Sequence, residues 1–222
     1  IEDQEGVNKI HEIVAVSAGV MVARGDLGIE TDIADLPNIQ RRIVHACAKK
    51  GKRCIVATHL LESMIKNPIP TRAEVTDVAN AIYEGVDSVM LSGETSVGSY
   101  PQRCVEQLSN IADRTERFPG LGYEKSLEVD NDKQHVAIHA VALAEAVKAD
   151  GIIVITRRGI TADYVTSARP QHVPIFAFTN DSQTRRRLAL NRSLYAHRIA
   201  FSNDPEKTLQ RAFDVLRKKE GV

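Results

Sequence analysis

The sequence predicts an α/β protein in which a strand, a polar loop and a helix recur down the first part of the chain, followed by a second α/β unit. Three observations carry that reading. Apolar runs at Val20–Ala23, Cys54–Ala57 and Ser88–Leu91 each end in polar residues, as buried parallel strands do when their carboxyl ends carry chemistry. After each run, apolar side chains return at helical spacing. The rhythm then breaks at Pro119-Gly120-Leu121-Gly122-Tyr123 and again at the acidic Glu128-Val129-Asp130-Asn131-Asp132, which marks a domain boundary. The repeat fits a (β/α) barrel or an open doubly wound sheet.

In chain order, Ile1–Gly6 reads as the carboxyl end of a strand, which puts Glu2 level with Asp26. Asn8–Val14 has helical spacing, and Gly19 punctuates before the next strand. That strand delivers Asp26 between Gly25 and Gly28. Glycine lets the backbone turn sharply there, so main-chain N–H groups can face an anion while the carboxylate holds a cation. The alternative for Asp26 is a cap on the helix or turn that follows. A polar turn leads to a helix from Leu36 to Lys50, with Ile39, Ile43, Val44 and Cys47 on one face and Gly51 as its stop. Cys54–Thr58 is the second strand, and Thr58 and His59 end it. Thr71-Arg72-Ala73-Glu74 is a capping box that opens a helix carried by Val75, Val78, Ala79 and Ile82 and stopped by Gly85. Ser88–Ser92 is the third strand, Gly93–Gly98 a polar loop, and Pro101 opens a helix to about Phe118.

Beyond the boundary, Val136–Lys148 is an alanine-rich helix, Ile152–Thr156 a strand, Thr161–Ala168 a helix halted by Pro170, and Ile175–Thr179 a strand. A helix at Ser182–Leu190, a strand near Tyr195–Phe201 and a helix at Pro205–Lys219 complete the unit, and Glu220-Gly221-Val222 stand where another strand is due.

Composition excludes several classes. At 222 residues, with 43% hydrophobic and 26% charged residues, the chain is a globular protein with no compositional sign of disorder. No apolar run approaches the roughly 20 residues a membrane span needs, and the opening Ile1-Glu2-Asp3-Gln4-Glu5 is acidic where a signal peptide is basic. Cys47, Cys54 and Cys104 form no C-x-x-C pair and fit reduced core thiols in a cytoplasmic protein. Basic and acidic residues both number 29, so no global field recruits nucleic acid. The chain has no initiating Met and opens within a strand-end motif, as a piece of a longer chain would.

Met21-Val22-Ala23-Arg24-Gly25-Asp26-Leu27-Gly28, Ala57-Thr58 to Met64, the helix from Thr71 to Gly85 and Met90-Leu91-Ser92-Gly93-Glu94-Thr95 together resemble the latter part of the pyruvate kinase family. The resemblance implies a partial (β/α)8 TIM barrel followed by a second α/β three-layer domain with a mostly parallel sheet. The latter half of the catalytic barrel would occupy residues 1–118, a linker 119–134, and a C-terminal effector-binding-type domain 135–222. It further implies phosphoryl transfer from phosphoenolpyruvate to ADP, giving pyruvate and ATP in glycolysis, by a homotetramer that uses magnesium or manganese and potassium. Glu2 and Asp26 match the family's metal carboxylates, and hard oxygen ligands with room for substrate oxygens suit those ions. The backbone of Gly25 and Asp26 with the Thr58 hydroxyl resembles the cradle for the substrate carboxylate, and Ser92 and Glu94 match the active-site serine and its neighbouring carboxylate. Thr58 also reads as a helix cap and Ser92 as ordinary turn satisfaction.

By the same resemblance, the family's catalytic lysine falls just upstream of Ile1, with the potassium ligands, the phosphate arginine and the lid further upstream. The chain by itself is therefore expected to lack turnover, and the competing reading is an inactive module that keeps only an effector loop. Three places depart from the family: Asp3 follows the metal Glu where a small polar or basic residue is usual, His59 stands where Gln is common, and Ser96-Val97-Gly98-Ser99 is less polar and less charged than the family's usual loop.

Thr156-Arg157-Arg158-Gly159-Ile160-Thr161 joins a strand to a helix with two arginines in the turn, a combination suited to phosphate. It matches the family's sugar-phosphate effector loop; the alternative is Thr161 as a plain N-cap beside solvated arginines. His135 and His139 read as a surface pair, and Arg185-Arg186-Arg187 and Arg217-Lys218-Lys219 as solvated faces or subunit contacts.

Overall fold

The computed structural model describes residues 1–219, in two compact units that divide between Glu128 and Val129. The first unit runs α1 (Gln4–Asn8), α2 (Ile10–Val16), β1 (Gly19–Ala23), α3 (Arg24–Glu30), α4 (Leu36–Lys49), β2 (Arg53–Ala57), α5 (Arg72–Tyr83), β3 (Ser88–Met90), α6 (Gly93–Ser96) and α7 (Pro101–Thr115). Its three strands pair in parallel, in the order β1-β2-β3, with Val22 opposite Val56 and Val56 opposite Val89. Ile1 extends this ladder beside β1: its nitrogen donates to Met21 O at 2.8 Å and its carbonyl accepts from Ala23 N–H at 3.1 Å.

The period-2 alternation of the strands sorts their side chains. Val20, Val22, Cys54 and Val56 are buried in one core with Ile39, Ile43 and Cys47 of α4 and Val78 and Ile82 of α5. Met21 and Met90 lie on the other face, 40% and 38% exposed. The three cysteines are buried and unbridged.

Several boundaries differ from the sequence reading, each for a local reason. The expected single helix at Asn8–Val14 is two, broken at Lys9, which leaves helical geometry at ψ 19°. The polar turn expected after Asp26 is α3, anchored by the buried Leu27 and closed by Thr31 Oγ1, which donates to Leu27 O at 2.5 Å. The loop expected at Gly93–Gly98 contains α6, and α7 stops at Thr115, short of Phe118. The second strand ends at Ala57 because Thr58 and His59 turn into the left-handed region at φ 70° and 54°. Segment 119–128 is tied to the first unit: Leu121 N–H donates to Tyr83 O, Glu128 N–H to Lys49 O, and Glu128 pairs with Lys49 and Lys50.

The second unit runs α8 (Asp132–Val147), β4 (Ile152–Ile155), α9 (Ile160–Ser167), β5 (Ile175–Thr179), α10 (Ser182–Leu188), β6 (Leu194–Arg198) and α11 (Pro205–Lys219). The helix expected from Val136 starts at Asp132 because Asn131 caps it, accepting from Gln134 N–H at 3.1 Å. The sheet is parallel, order β4-β5-β6. Central β5 is buried at every residue because both faces are covered. Ile175 and Ala177 pack with Val141 of α8 and Val165 of α9, while Phe176 and Phe178 pack with Ala212 and Leu216 of α11. The unit therefore has three layers. The strand due at Glu220-Gly221-Val222 lies outside the described residues. His139 Nδ1 meets His135 O at 2.7 Å, both residues exposed, and among the described residues no group of three or more His, Cys, Asp or Glu is placed to hold a metal ion. No described helix is long and apolar enough to cross a membrane.

Candidate active site

The carboxyl ends of β1, β2 and β3 carry the predicted site residues. At the end of β1 the chain enters α3 directly, so Asp26 lies in the first helical turn, where a carboxylate meets the positive end of the helix. Asp26 is exposed, and it lines one open cleft of about 320 Å³ with Glu2, Asp3 and Glu30. The cleft's four charged residues are all carboxylates, a hard donor set suited to magnesium, which takes one or two protein carboxylates and completes its shell with substrate oxygens and water. Asp3 is committed elsewhere: it N-caps α1 and accepts from Gly6 N–H at 2.7 Å.

Thr58 stands at the centre of the next loop. Its Oγ1 accepts from Gly25 N–H at 2.7 Å and donates to Ala57 O at 2.7 Å. The hydroxyl thus ties β2 to the start of α3 and does not cap the helical turn at Glu62–Ile65. A β-branched residue at φ 70° is an outlier that costs on the order of 1–3 kcal/mol and persists only where its surroundings hold it. His59 follows at φ 54°; its ring packs 3.5 Å from where a Cβ on Gly25 would stand, and its Nε2 lies 3.9 Å from Glu62. A Cβ at residue 25 would stand in ordinary contact with His59 and Thr58.

Behind these groups sits Arg24, 6% exposed. Its Nη1 donates to both Asp77 oxygens at 2.8 and 2.7 Å, and its Nε and Nη2 donate to Thr58 O at 3.2 and 2.6 Å. Sequence reasoning missed Arg24 and Asp77 as members of the site. The signal was a lone arginine within an apolar strand end, since a buried guanidinium requires a carboxylate.

Glu94 is 2% exposed, in α6. Its Oε1 accepts from Leu61 N–H at 3.1 Å and its Oε2 from Ser92 N–H at 2.7 Å. The side chain predicted to stand beside the chemistry thus joins the loop after β2 to the loop after β3. Ser92 is half-buried at the N-cap of α6, yet its hydroxyl does not cap that helix.

In the second unit, Thr156 Oγ1 accepts from Gly159 N–H at 3.0 Å and closes the turn. Gly159, at φ 81°, is the N-cap of α9 in place of Thr161, which sits exposed in the first turn; a Cβ on Gly159 would come within 2.4 Å of Arg187 Nη2. Arg157 and Arg158 are exposed, while their carbonyls are held, Arg157 O by Thr179 and Thr184 and Arg158 O by Arg187.

Comparison with known proteins decides the family. Residues 1–105 match the family model described as pyruvate kinase, barrel domain, and residues 134–222 the one described as pyruvate kinase, alpha/beta domain. The chain belongs to the pyruvate kinase family. Among its pyruvate kinase relatives, the chloroplastic isozyme G of Ricinus communis is 41% identical over 99% of this chain and 53% of its own length. The pyruvate kinase of Clostridium perfringens is 38% identical over 99% of this chain and 48% of its own. A crystal structure of a pyruvate kinase from Cryptosporidium parvum superposes with a TM-score of 0.95 at 34% identity, covering all of this chain and 46% of that one. The chain spans about half the length of the pyruvate kinases it matches. Sheet β1-β2-β3 falls within the residues matched to the pyruvate kinase barrel and sheet β4-β5-β6 within those matched to its alpha/beta domain, so the fold is a partial (β/α)8 barrel followed by an α/β domain.

Proposed function

We propose that the full-length protein carrying this chain transfers the phosphoryl group of phosphoenolpyruvate to ADP, giving pyruvate and ATP. The observation that carries the reading is the convergence at the strand ends: Glu2 and Asp26 line one cleft, and Gly25, next to Asp26, is bonded to the Thr58 hydroxyl at 2.7 Å. Glu2 and Asp26 would hold magnesium or manganese, which when bound neutralises developing charge on substrate oxygens. The family's dependence on potassium enters this reading without a ligand from the described residues.

The chain's own groups supply positioning. Gly25 N–H donates to Thr58 Oγ1, whose own proton goes to Ala57 O; a substrate carboxylate oxygen takes the Gly25 N–H in place of Thr58, and the hydroxyl reaches the substrate by turning its proton away from Ala57 O. The backbone that carries both groups is held in place, so only these two hydrogen bonds change partner when substrate binds. Ser92 helps relay a proton from solvent to the methylene carbon as the enolate becomes pyruvate, its hydroxyl taking one proton as it gives up the other, and Glu94 holds the Ser92 backbone in register. In the second unit, the Thr156–Thr161 loop at the start of α9 takes a sugar phosphate through Arg157, Arg158 and helix N–H groups. The working assembly is a homotetramer in the cytoplasm, a compartment that keeps Cys47, Cys54 and Cys104 reduced.

The test is pyruvate production from phosphoenolpyruvate and ADP by the full-length protein, with magnesium and potassium present. Asp26→Asn is expected to weaken manganese binding by more than the roughly 10–100-fold lost with an outer-sphere partner, read directly by electron paramagnetic resonance. Absence of pyruvate would sink the functional reading, and unchanged manganese affinity would remove Asp26 from the metal site.

A further inference from the structure

Arg24 is buried, yet its donors converge on only two places. One side of the guanidinium grips the Asp77 carboxylate with paired bonds of 2.8 and 2.7 Å; the other meets Thr58 O at 3.2 and 2.6 Å, with Ala57 O at 3.4 Å from Nε. Thr58 is the residue with the least comfortable backbone in the site, a β-branched side chain at φ 70°, and His59 after it is left-handed as well. His59 is of a type that enters the left-handed region more readily than most, but the β-branched Thr58 is not, and the loop Ala57-Thr58-His59-Leu60 holds no glycine, asparagine or aspartate. The conformation must be imposed from outside the loop, and Arg24 is the group bonded to the Thr58 carbonyl. Arg24 is also the residue immediately before Gly25, whose N–H donates to the Thr58 hydroxyl oxygen. The same dipeptide therefore fixes Thr58 from both sides, through its carbonyl and through its side chain.

An ion pair with one buried and one half-exposed partner, as Arg24 and Asp77 form, is by itself weak evidence of a stabilising role, since apolar residues of similar volume often serve stability as well. The aim of this one matters more. Asp77 comes from α5, whose start is pinned by the Thr71–Glu74 capping box, so a rigid helix orients the guanidinium.

We propose that Arg24 and Asp77 are positioning residues that hold Thr58 in the left-handed conformation, and so set where its hydroxyl sits relative to Gly25 and the substrate. The inference rests on the functional reading above for its kinetic consequence, but not for its geometry.

The experiment is a double-mutant cycle in the full-length protein with Asp77→Asn and Thr58→Ala, assayed for pyruvate well below each variant's melting temperature, together with crystal structures of the wild type and Asp77→Asn. A misplaced catalytic hydroxyl costs up to about 100-fold, so Asp77→Asn is expected to lower kcat by about tenfold or more. In the Thr58→Ala background, where no hydroxyl remains to misplace, the same change is expected to cost less than about twofold. The variant's crystal structure is expected to show Thr58 at negative φ. Effects that simply multiply across the cycle would overturn the proposal, because Asp77 would then act elsewhere. So would a variant that keeps Thr58 left-handed. A wild-type protein without turnover would count against the functional reading alone, and the φ of Thr58 in the variant would still decide the role of the pair.

Discussion

The buried carboxylate of Glu94 accepts a hydrogen bond from the backbone N–H of Leu61 at 3.1 Å while its other oxygen takes the N–H of Ser92 at 2.7 Å. One side chain therefore sets the spacing of two loops that leave neighbouring strands. Glutamine offers one acceptor in place of two, so Glu94→Gln turns an amide N–H₂ against one of these backbone donors. The expected loss is about 1–3 kcal/mol, to be read as a lower urea midpoint with an unchanged slope. A midpoint equal to that of the wild type would show that the loops do not depend on this carboxylate.

The capping box foreseen at Thr71 is present in full. Glu74 N–H donates to Thr71 Oγ1 at 3.2 Å and Thr71 N–H donates to Glu74 Oε2 at 2.7 Å. Glu74 also accepts from Ser63 N–H and Ser63 Oγ. Thr71→Ala should cost about 1 kcal/mol by denaturation, while Thr71→Ser should cost much less because it keeps the acceptor. Equal losses from the two substitutions would point to packing of the threonine methyl instead of the cap.

Glu145 gives a stability term that fades in acid. Burial works against its ionisation, but the N–H groups of His172, Gln171 and Val173 outweigh it and hold its pKa below the usual carboxylate range. For a carboxyl whose folded pKa is depressed, the stabilisation is complete above the unfolded pKa and is lost as pH falls through the folded one. Melting of the second unit followed from neutral pH downward should therefore drop less steeply in Glu145→Gln than in the wild type. Parallel curves would contradict the assignment.

Glu84 gives the opposite sign. Its side chain is fully buried, and burial pushes its carboxyl above the usual range although Gln40, Arg41 and Asn80 all donate to it. A raised folded pKa means that the contribution is complete below the unfolded pKa and is lost as pH rises through the folded value. Glu84→Gln removes this dependence, since an amide has no charged form to desolvate and Gln40 can turn its own amide to match. The variant should gain stability relative to the wild type as pH rises above the usual carboxylate range. A variant that loses ground over that window would mean that the ion pair with Arg41 outweighs burial.

Much of the fold was legible in the residues because local rules and tertiary demands agree. The apolar runs at Val20, Cys54, Ser88, Ile152 and Ile175 became parallel strands, and the Thr71 box, Gly51 and Gly85 punctuated helices as expected. Short elements were harder to read. Two glycines disguised α3, whose helical state depends on burying Leu27 and Arg24, and α6 is too brief to show any periodicity.

By itself, the sequence determined the order of strands and helices, the strand ends at which Asp26, Thr58 and Ser92 would lie, and, through its matching motifs, the family. Only the tertiary structure decided what those residues touch. Hydrophobic period reports which face of an element is buried, but a hydrogen bond between residues 33 positions apart, such as Gly25 to Thr58 or Leu61 to Glu94, has no local signature. The left-handed turn at Thr58 is the plainest case: no propensity favours it, and it exists because Arg24, oriented by Asp77, bonds the Thr58 carbonyl across the gap between two strands.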